Sequence, residues 1–243
     1  MIPTTVAQAL RSLLAGDAAR PLVTYVGPGG ERTELSVRTF ENNVAKAANL
    51  LRDDADVTSS SRVALLLPVH WQTAVWLGAC ALTGCTAWLD GDPADPSTDV
   101  SVVDPGRLDA PRAPVALATA LHPLGLPFGT PLPDGLLDAA VEVRAHGDAF
   151  TAYREVPGDA AWIRSGVRTW TQTEALADAA ALAAATGLAA GGRLLYDVTT
   201  ARDAALAMLA VPLAVGGSVV LLADPAADAG AVAADERCTA VLR

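Results

Sequence analysis

Apolar positions along this chain group into runs, and one ordering of runs occurs twice. Arg62–Pro93 (RVALLLPVHWQTAVWLGACALTGCTAWLDGDP) holds an apolar run, a longer apolar stretch of helical length, and a second short run. Near-continuous apolar strands of this kind are expected of a parallel sheet covered on both faces. The order returns over Arg193–Pro225 (RLLYDVTTARDAALAMLAVPLAVGGSVVLLADP). Both stretches open on Arg, both close on Asp-Pro (Asp92-Pro93 and Asp224-Pro225), and each follows an amphipathic stretch, Ser36–Asp54 or Thr171–Gly187. A spacing of about 130 residues exceeds any solenoid repeat. The pattern therefore predicts an α/β protein of two similar β-α-β halves. The first covers residues 1–120 and the second 160–243, with 121–159 as an irregular connection and the halves packed as one unit.

Finer patterning places the remaining elements. Val6, Leu10, Leu13 and Leu14 share one face of a short helix over Thr5–Ala15. Pro21–Val26 and Arg32–Leu35 flank Gly27-Pro28-Gly29-Gly30, which reads as a hairpin turn. No helix follows those glycines directly and no Lys-Ser/Thr closes them, so they are not a phosphate loop. Ser36 caps a helix whose inward stripe is Val37, Phe40, Val44, Ala48 and Leu51. His70–Leu82 is apolar nearly all round and predicts a deeply packed helix. Short strands follow at Thr86–Leu89, Val100–Val103 and Val115–Ala118. Leu121–Asp134, with four prolines, predicts an irregular stretch lining a cleft. A strand over Ala160–Arg164 leads to Thr171-Gln172-Thr173-Glu174, a capping box that opens a helix ending at Gly187. Gly230–Glu236 and Thr239–Leu242 form a last short helix and strand.

Composition narrows the function classes. The chain has 243 residues, is 51% hydrophobic and 18% charged, and carries a net charge of −10. That balance suits a globular core and disfavours a nucleic-acid partner, which needs clustered Lys and Arg. Lys46 is the only lysine. Ala204–Ala223 is twenty residues without a charge, long enough to span a bilayer, yet Pro212, Gly216 and Gly217 divide it into helix and strand. No membrane span is expected. Cys80, Cys85 and Cys238 form no C-x-x-C pair. Together with the lack of a secretory signal, they fit reduced thiols in a cytoplasm.

The elements resemble the adenylate-forming superfamily of acyl-CoA synthetases, peptide-synthetase adenylation domains and luciferases. The resemblance rests on Glu34-Leu35-Ser36, Arg62-Val63-Ala64-Leu65-Leu66-Leu67-Pro68 and Gly84-Cys85-Thr86-Ala87-Trp88-Leu89-Asp90. It continues in Gly192-Arg193-Leu194-Leu195 and Gly217-Ser218-Val219-Val220-Leu221. It covers most of this chain but about the first half of a full-length member. It implies the N-terminal fold of those enzymes without their C-terminal lid domain, and these matched residues are scaffold.

The resemblance also marks departures. A Ser/Thr/Gly-rich loop ending in P-K-G is expected between the strand at Ala160 and the helix at Thr171. Trp162-Ile163-Arg164-Ser165-Gly166-Val167-Arg168-Thr169-Trp170 stands there, and only Ser165-Gly166 matches. Thr199-Thr200-Ala201-Arg202 stands where the family has an acyl-pocket His. The catalytic lysine and the adenine-seating motifs of the family come after the region matched. These departures imply no adenylation by this chain alone, and no motif supports ATP or AMP as cofactor.

Two places are candidate ligand sites. Ser165, Gly166, Arg168 and Thr169 read as a strand-to-helix turn, where N–H groups and an Arg can hold an anion, or as an ordinary capped turn. His70 follows Pro68 at the carboxyl end of a strand, where ligands bind in α/β sheets, or is a capping or core residue. No metal site is expected, because Asp90, Asp92, Asp95 and Asp99 lack calcium-loop spacing and its closing Glu, and His70 has no Cys, Asp or Glu at metal-ligand spacing. Trp71, Trp76, Trp88, Trp162 and Trp170 read mainly as packing residues. The expected function is a non-catalytic binding or regulatory module with an unknown ligand, and with a protein partner or self-association. The alternative is a half-enzyme that completes an acyl-adenylate site with a second chain.

Overall fold

The computed structural model describes residues 2–198 and 204–243. The chain opens with helix α1 (Val6–Ala15), capped by the Thr5 hydroxyl, and then a hairpin of strands β1 (Pro21–Gly27) and β2 (Glu31–Ser36). The Gly27–Gly30 stretch is the expected turn, with Gly29 and Gly30 at φ +73° and +81°, where a side chain is strained. Ser36 accepts from the Thr39 N–H at 3.1 Å and starts helix α2 (Val37–Asp53), with Val37, Phe40, Val44, Ala48 and Leu51 all buried. The first apolar unit follows as β3 (Arg62–Leu66), α3 (Trp71–Thr83) and β4 (Thr86–Leu89). β3 and β4 are adjacent and parallel. Ten of the thirteen residues of α3 are buried, as an all-apolar helix requires.

Strands β5 (Val100–Val103) and β6 (Val115–Ala118) lie where expected, followed by β7 (Leu137–Asp138) and the one-turn helix α4 (Ala139–Glu142), which local pattern did not announce. The second unit repeats the first. A hairpin of β8 (Ala161–Ser165) and β9 (Arg168–Thr171) precedes helix α5 (Gln172–Ala185), whose Thr171–Glu174 capping box is complete. Then come β10 (Arg193–Asp197), two short helices α6 (Ala204–Ala207) and α7 (Ala210–Val215), and β11 (Ser218–Leu222). Helix α8 (Ala229–Asp235) and strand β12 (Ala240–Leu242) complete the described chain.

The strands form two sheets, ordered β12-β10-β11-β1-β2 and β7-β6-β5-β3-β4-β8-β9. Beside the β10–β11 pair of the second unit lies the hairpin of the first. Beside the β3–β4 pair of the first lies the hairpin of the second. The orders β12-β10-β11-β1-β2 and β5-β3-β4-β8-β9 thus match position by position, with the two hairpins exchanged. Side chains from α1, α2, α3, α5, α6 and α7 share one core with residues of both sheets. The opposite face of the five-stranded sheet is covered by α8, and that of β5 and β6 by Leu108, Phe128, Leu132 and Leu136 from irregular chain. Among the described residues, no helix is long and apolar enough to cross a membrane.

Polar groups lock the exchange. Arg193, which opens the second unit, reaches Glu236 at 2.6 Å, Thr24 at 2.9 Å and Glu34 at 3.3 Å, joining β10 to β1, β2 and the end of α8. Gln172 is buried, accepts from the Val6 N–H and donates to the Ala81 carbonyl, both at 2.9 Å. Its amide thereby joins the starts of α5 and α1 to α3.

Candidate ligand site at a sheet edge

The five central strands β6-β5-β3-β4-β8 are parallel, so their carboxyl ends share one edge. From β3 the chain crosses through α3 to β4 on one side, and later returns to β3's other side as β5. Ligands of open α/β sheets settle at such a reversal, outside the carboxyl ends of the strands that flank it. His70, Trp71 and Gln72 follow β3 at this point, and Thr119 follows β6.

His70 is 2% exposed. Its Nδ1 accepts the Gln72 N–H at 3.2 Å, capping α3. The ring meets Tyr25 of the other sheet edge-on at 4.3 Å and lies 5.6 Å from the Trp71 ring. Burial drives its pKa down to about 4, so the imidazole is neutral at pH 7. With Nδ1 accepting, the proton sits on Nε2. That Nε2–H has no partner, and neither do Trp71 Nε1, Gln72 Oε1 and Thr119 Oγ1, all buried. An unpaired buried polar atom costs about 1–3 kcal/mol.

Three of the four, Trp71, Gln72 and Thr119, line one cavity of about 60 Å³, together with Asn43, Gly125 and Val143. Gly125 belongs to the irregular stretch 120–136, which is held by Thr33 Oγ1 donating to the Pro123 carbonyl (3.0 Å), Arg144 to the Gly125 carbonyl (3.3 Å), and the Phe128 N–H to Asp138 (2.7 Å).

Of the other predicted site residues, Ser165 lies on the same edge at the end of β8, two strand spacings or about 10 Å from β3, and Arg168 and Thr169 lie one strand further, on β9. They do not form a strand-to-helix turn. Ser165 pairs with Arg168 across the β8–β9 hairpin, which leaves only Gly166 and Val167 to turn the chain. Gly166 takes φ +56° and Val167 is fully exposed. Thr169 lies within β9 opposite Arg164, and α5 begins only at Gln172. The Arg168 guanidinium is paired with Asp178 at 2.5 Å and lies over the Trp170 ring at 4.4 Å. Both side chains of that pair are exposed. Thr199–Arg202 lies outside the described residues.

A larger groove of about 870 Å³ opens at the opposite, amino edge, lined by Arg52, Thr58, Gly84, Phe150 and Tyr153. Arg52 stacks between Phe150 and Tyr153 at 4.9 Å from each and pairs with Asp53 at 2.6 Å. No unpaired buried side-chain atom lines it among the described residues. Among them there is also no cluster of three or more His, Cys, Asp or Glu that could hold a metal ion. The loop aspartates instead cap their own turns, Asp92 accepting from Ala94 and Asp95 from Ser97, both at 2.8 Å.

No protein-family model matches the chain. It is 41% identical over 234 residues to a "TIGR03089 family protein" of Mycobacterium tuberculosis, covering 92% of this chain and 91% of that one. Among solved structures it is similar to an acyl-CoA synthetase from Brucella canis, with a TM-score of 0.70 and 17% identity over 97% of this chain. An acetoacetyl-CoA synthetase from Streptomyces lividans also has a TM-score of 0.70, with 22% identity over 90% of this chain. At those identities the likeness is one of fold. This chain spans 49% of the first synthetase and 38% of the second.

Proposed function

This chain belongs to the TIGR03089 family, and from that membership and the synthetase fold we propose a protein that binds its ligand without adenylating it. One observation carries the proposal. Where the resemblance places a glycine-rich loop around ATP phosphates, β8 and β9 are joined by a two-residue turn, and the nearby Arg168 is held by Asp178. Phosphoryl transfer depends on positioned donors and cations around the phosphates, and a turn of Gly166 and Val167 has no length to supply them. Binding or regulation is then what the retained scaffold is for, with His70 as the leading ligand contact and the Ser165, Gly166, Arg168, Thr169 hairpin as a second. A cytoplasmic setting fits the free thiols of Cys80, Cys85 and Cys238.

The test is acid-dependent ATP–pyrophosphate exchange by the pure full chain over a panel of carboxylic acids. Exchange at background is expected, and exchange above it with any acid overturns the proposal. Titration with AMP and an acyl-AMP analogue, followed by tryptophan fluorescence, then tells whether a nucleotide cleft persists.

A second reading is a half-enzyme that completes an acyl-adenylate site with another chain. It draws on β12, which among the described residues pairs only with β10 and so presents a strand edge to a partner. Exchange that stays at background when a separate synthetase C-terminal portion is added counts against it.

A further inference from the structure

We propose that a cavity beside the amino-edge groove binds an amphiphilic organic cation, its ammonium head on Glu41 and its alkyl or aryl body along α1 and α3. The cavity holds about 470 Å³, within the ~300–1,000 Å³ of small-molecule sites. Leu10 and Leu14 of α1, Ala81 and Leu82 of α3, and Phe150 and Val156 of irregular chain make its apolar walls. Ala81 and Leu82 stand at the far end of α3 from His70, about 17 Å along the helix axis. The site is therefore separate from the carboxyl edge, and neither outcome of the exchange assay bears on it.

The wall of irregular chain is held in place. Asn49, itself buried, donates to the carbonyls of Gly147 (2.9 Å) and Ala149 (3.1 Å), and Arg52 donates to that of Thr151 (2.8 Å). Phe150 lines both this cavity and the neighbouring groove, so its ring stands between them. The cavity is thus formed before any ligand arrives.

Charge on the walls decides the sign of the occupant. Arg11, Glu41 and Glu155 line the cavity. Arg11 and Glu155 are exposed, where water and salt screen them. Glu41 is more enclosed: its side chain is 21% exposed, and among the described residues its nearest cation is Arg38 at 3.8 Å, itself 57% exposed. Burial outweighs the pull of Arg38 and pushes the Glu41 carboxyl above its usual range, with Asp148 adding to the effect. A cation brought against Glu41 supplies the missing positive charge, whereas an anion meets like charge there. A bare metal ion leaves the apolar walls unused. An ammonium carried on an apolar body fits both the carboxylate and the walls.

The test is calorimetric titration of the full chain with hexylammonium, with hexanol and hexanoate as neutral and anionic controls of the same length. Saturable binding of hexylammonium is expected, at least about tenfold tighter than hexanol, and none of hexanoate. Glu41→Gln keeps the shape and removes the charge, so it weakens hexylammonium roughly tenfold, as loss of a hydrogen bond to a charged group does, and leaves hexanol unchanged. Ala7→Phe fills the cavity from α1 and Ala152→Phe from the irregular chain, and each abolishes binding while the chain still melts cooperatively. No saturable binding of hexylammonium, equal binding of hexanol or hexanoate, or undiminished binding by Glu41→Gln overturns the proposal. So does binding that survives either phenylalanine, which puts the cation elsewhere on the molecule.

Discussion

The His70 ring cannot take up a proton in the fold without charging a buried group that has no carboxylate beside it. Its pKa of about 4 lies below the ~6.5 of an unfolded histidine. Between those values the unfolded chain binds a proton that the folded chain refuses, so stability falls as pH drops from about 6.5 to 4. The loss over that window is on the order of 3 kcal/mol. Urea unfolding at pH 7 and pH 5 captures about 2 kcal/mol of it. His70→Asn retains a capping side chain and flattens the slope over this range. A slope unchanged in His70→Asn assigns the effect elsewhere. Glu236 acts in a separate, more acidic window. The Arg32 hydrogen bond, followed by that of Arg193, holds its carboxyl below the usual range, so its contribution is present above about pH 4.5 and is lost below it.

Helices α2 and α3 approach closely because Gly78 has no side chain. A Cβ there stands 2.8 Å from a Val44 methyl. Gly78→Ala is therefore expected to cost about 1–3 kcal/mol by overpacking, despite alanine's better helix propensity. Val44→Ala in the same chain recovers much of it, and a double-mutant cycle in denaturant melts gives the coupling. Glu236→Gln leaves the guanidinium of Arg193, 13% exposed, without its nearest carboxylate. It costs on the order of 2 kcal/mol or more by the same melts. The caps at Ser36 and Thr171, the apolar strands and the all-apolar α3 were legible because each is set by residues within a turn or two. Strand β9 was not, since Arg168–Thr171 reads locally as the approach to a helix cap and becomes a strand only by pairing with β8. Helix α4 and strand β7 are too short to leave a period. His70 was legible from its place after a strand, but Trp71, Gln72 and Thr119 were not. Their shared cavity depends on β3 and β6 lying two strands apart, although Thr119 stands just past β6 as His70 stands just past β3. The contacts of Arg193 with Thr24 and Glu34, and those of Gln172, join residues more than 90 positions apart, beyond any local signal.

Neither unit can complete its sheet without the other's hairpin. Cutting the chain between residues 120 and 121 separates β1 and β2 from β11, and β8 and β9 from β4. Each fragment alone is expected to give a poorly dispersed amide spectrum, and an equimolar mixture the spectrum of the intact chain. A cooperative unfolding transition in either isolated fragment refutes this. The exchange also imposes a schedule on the protein as it is made. Val23 on β1 pairs with Val219 on β11, so the β1–β2 hairpin waits for a strand made much later. At about 5–20 residues per second that wait is ~10–40 s. Throughout it, the β1 edge that β11 will cover is an unpaired strand bearing Leu22, Val23 and Val26, open to pairing with other nascent chains. Synthesis of β10 and β11, rather than collapse of either unit, then sets when the five-stranded sheet closes.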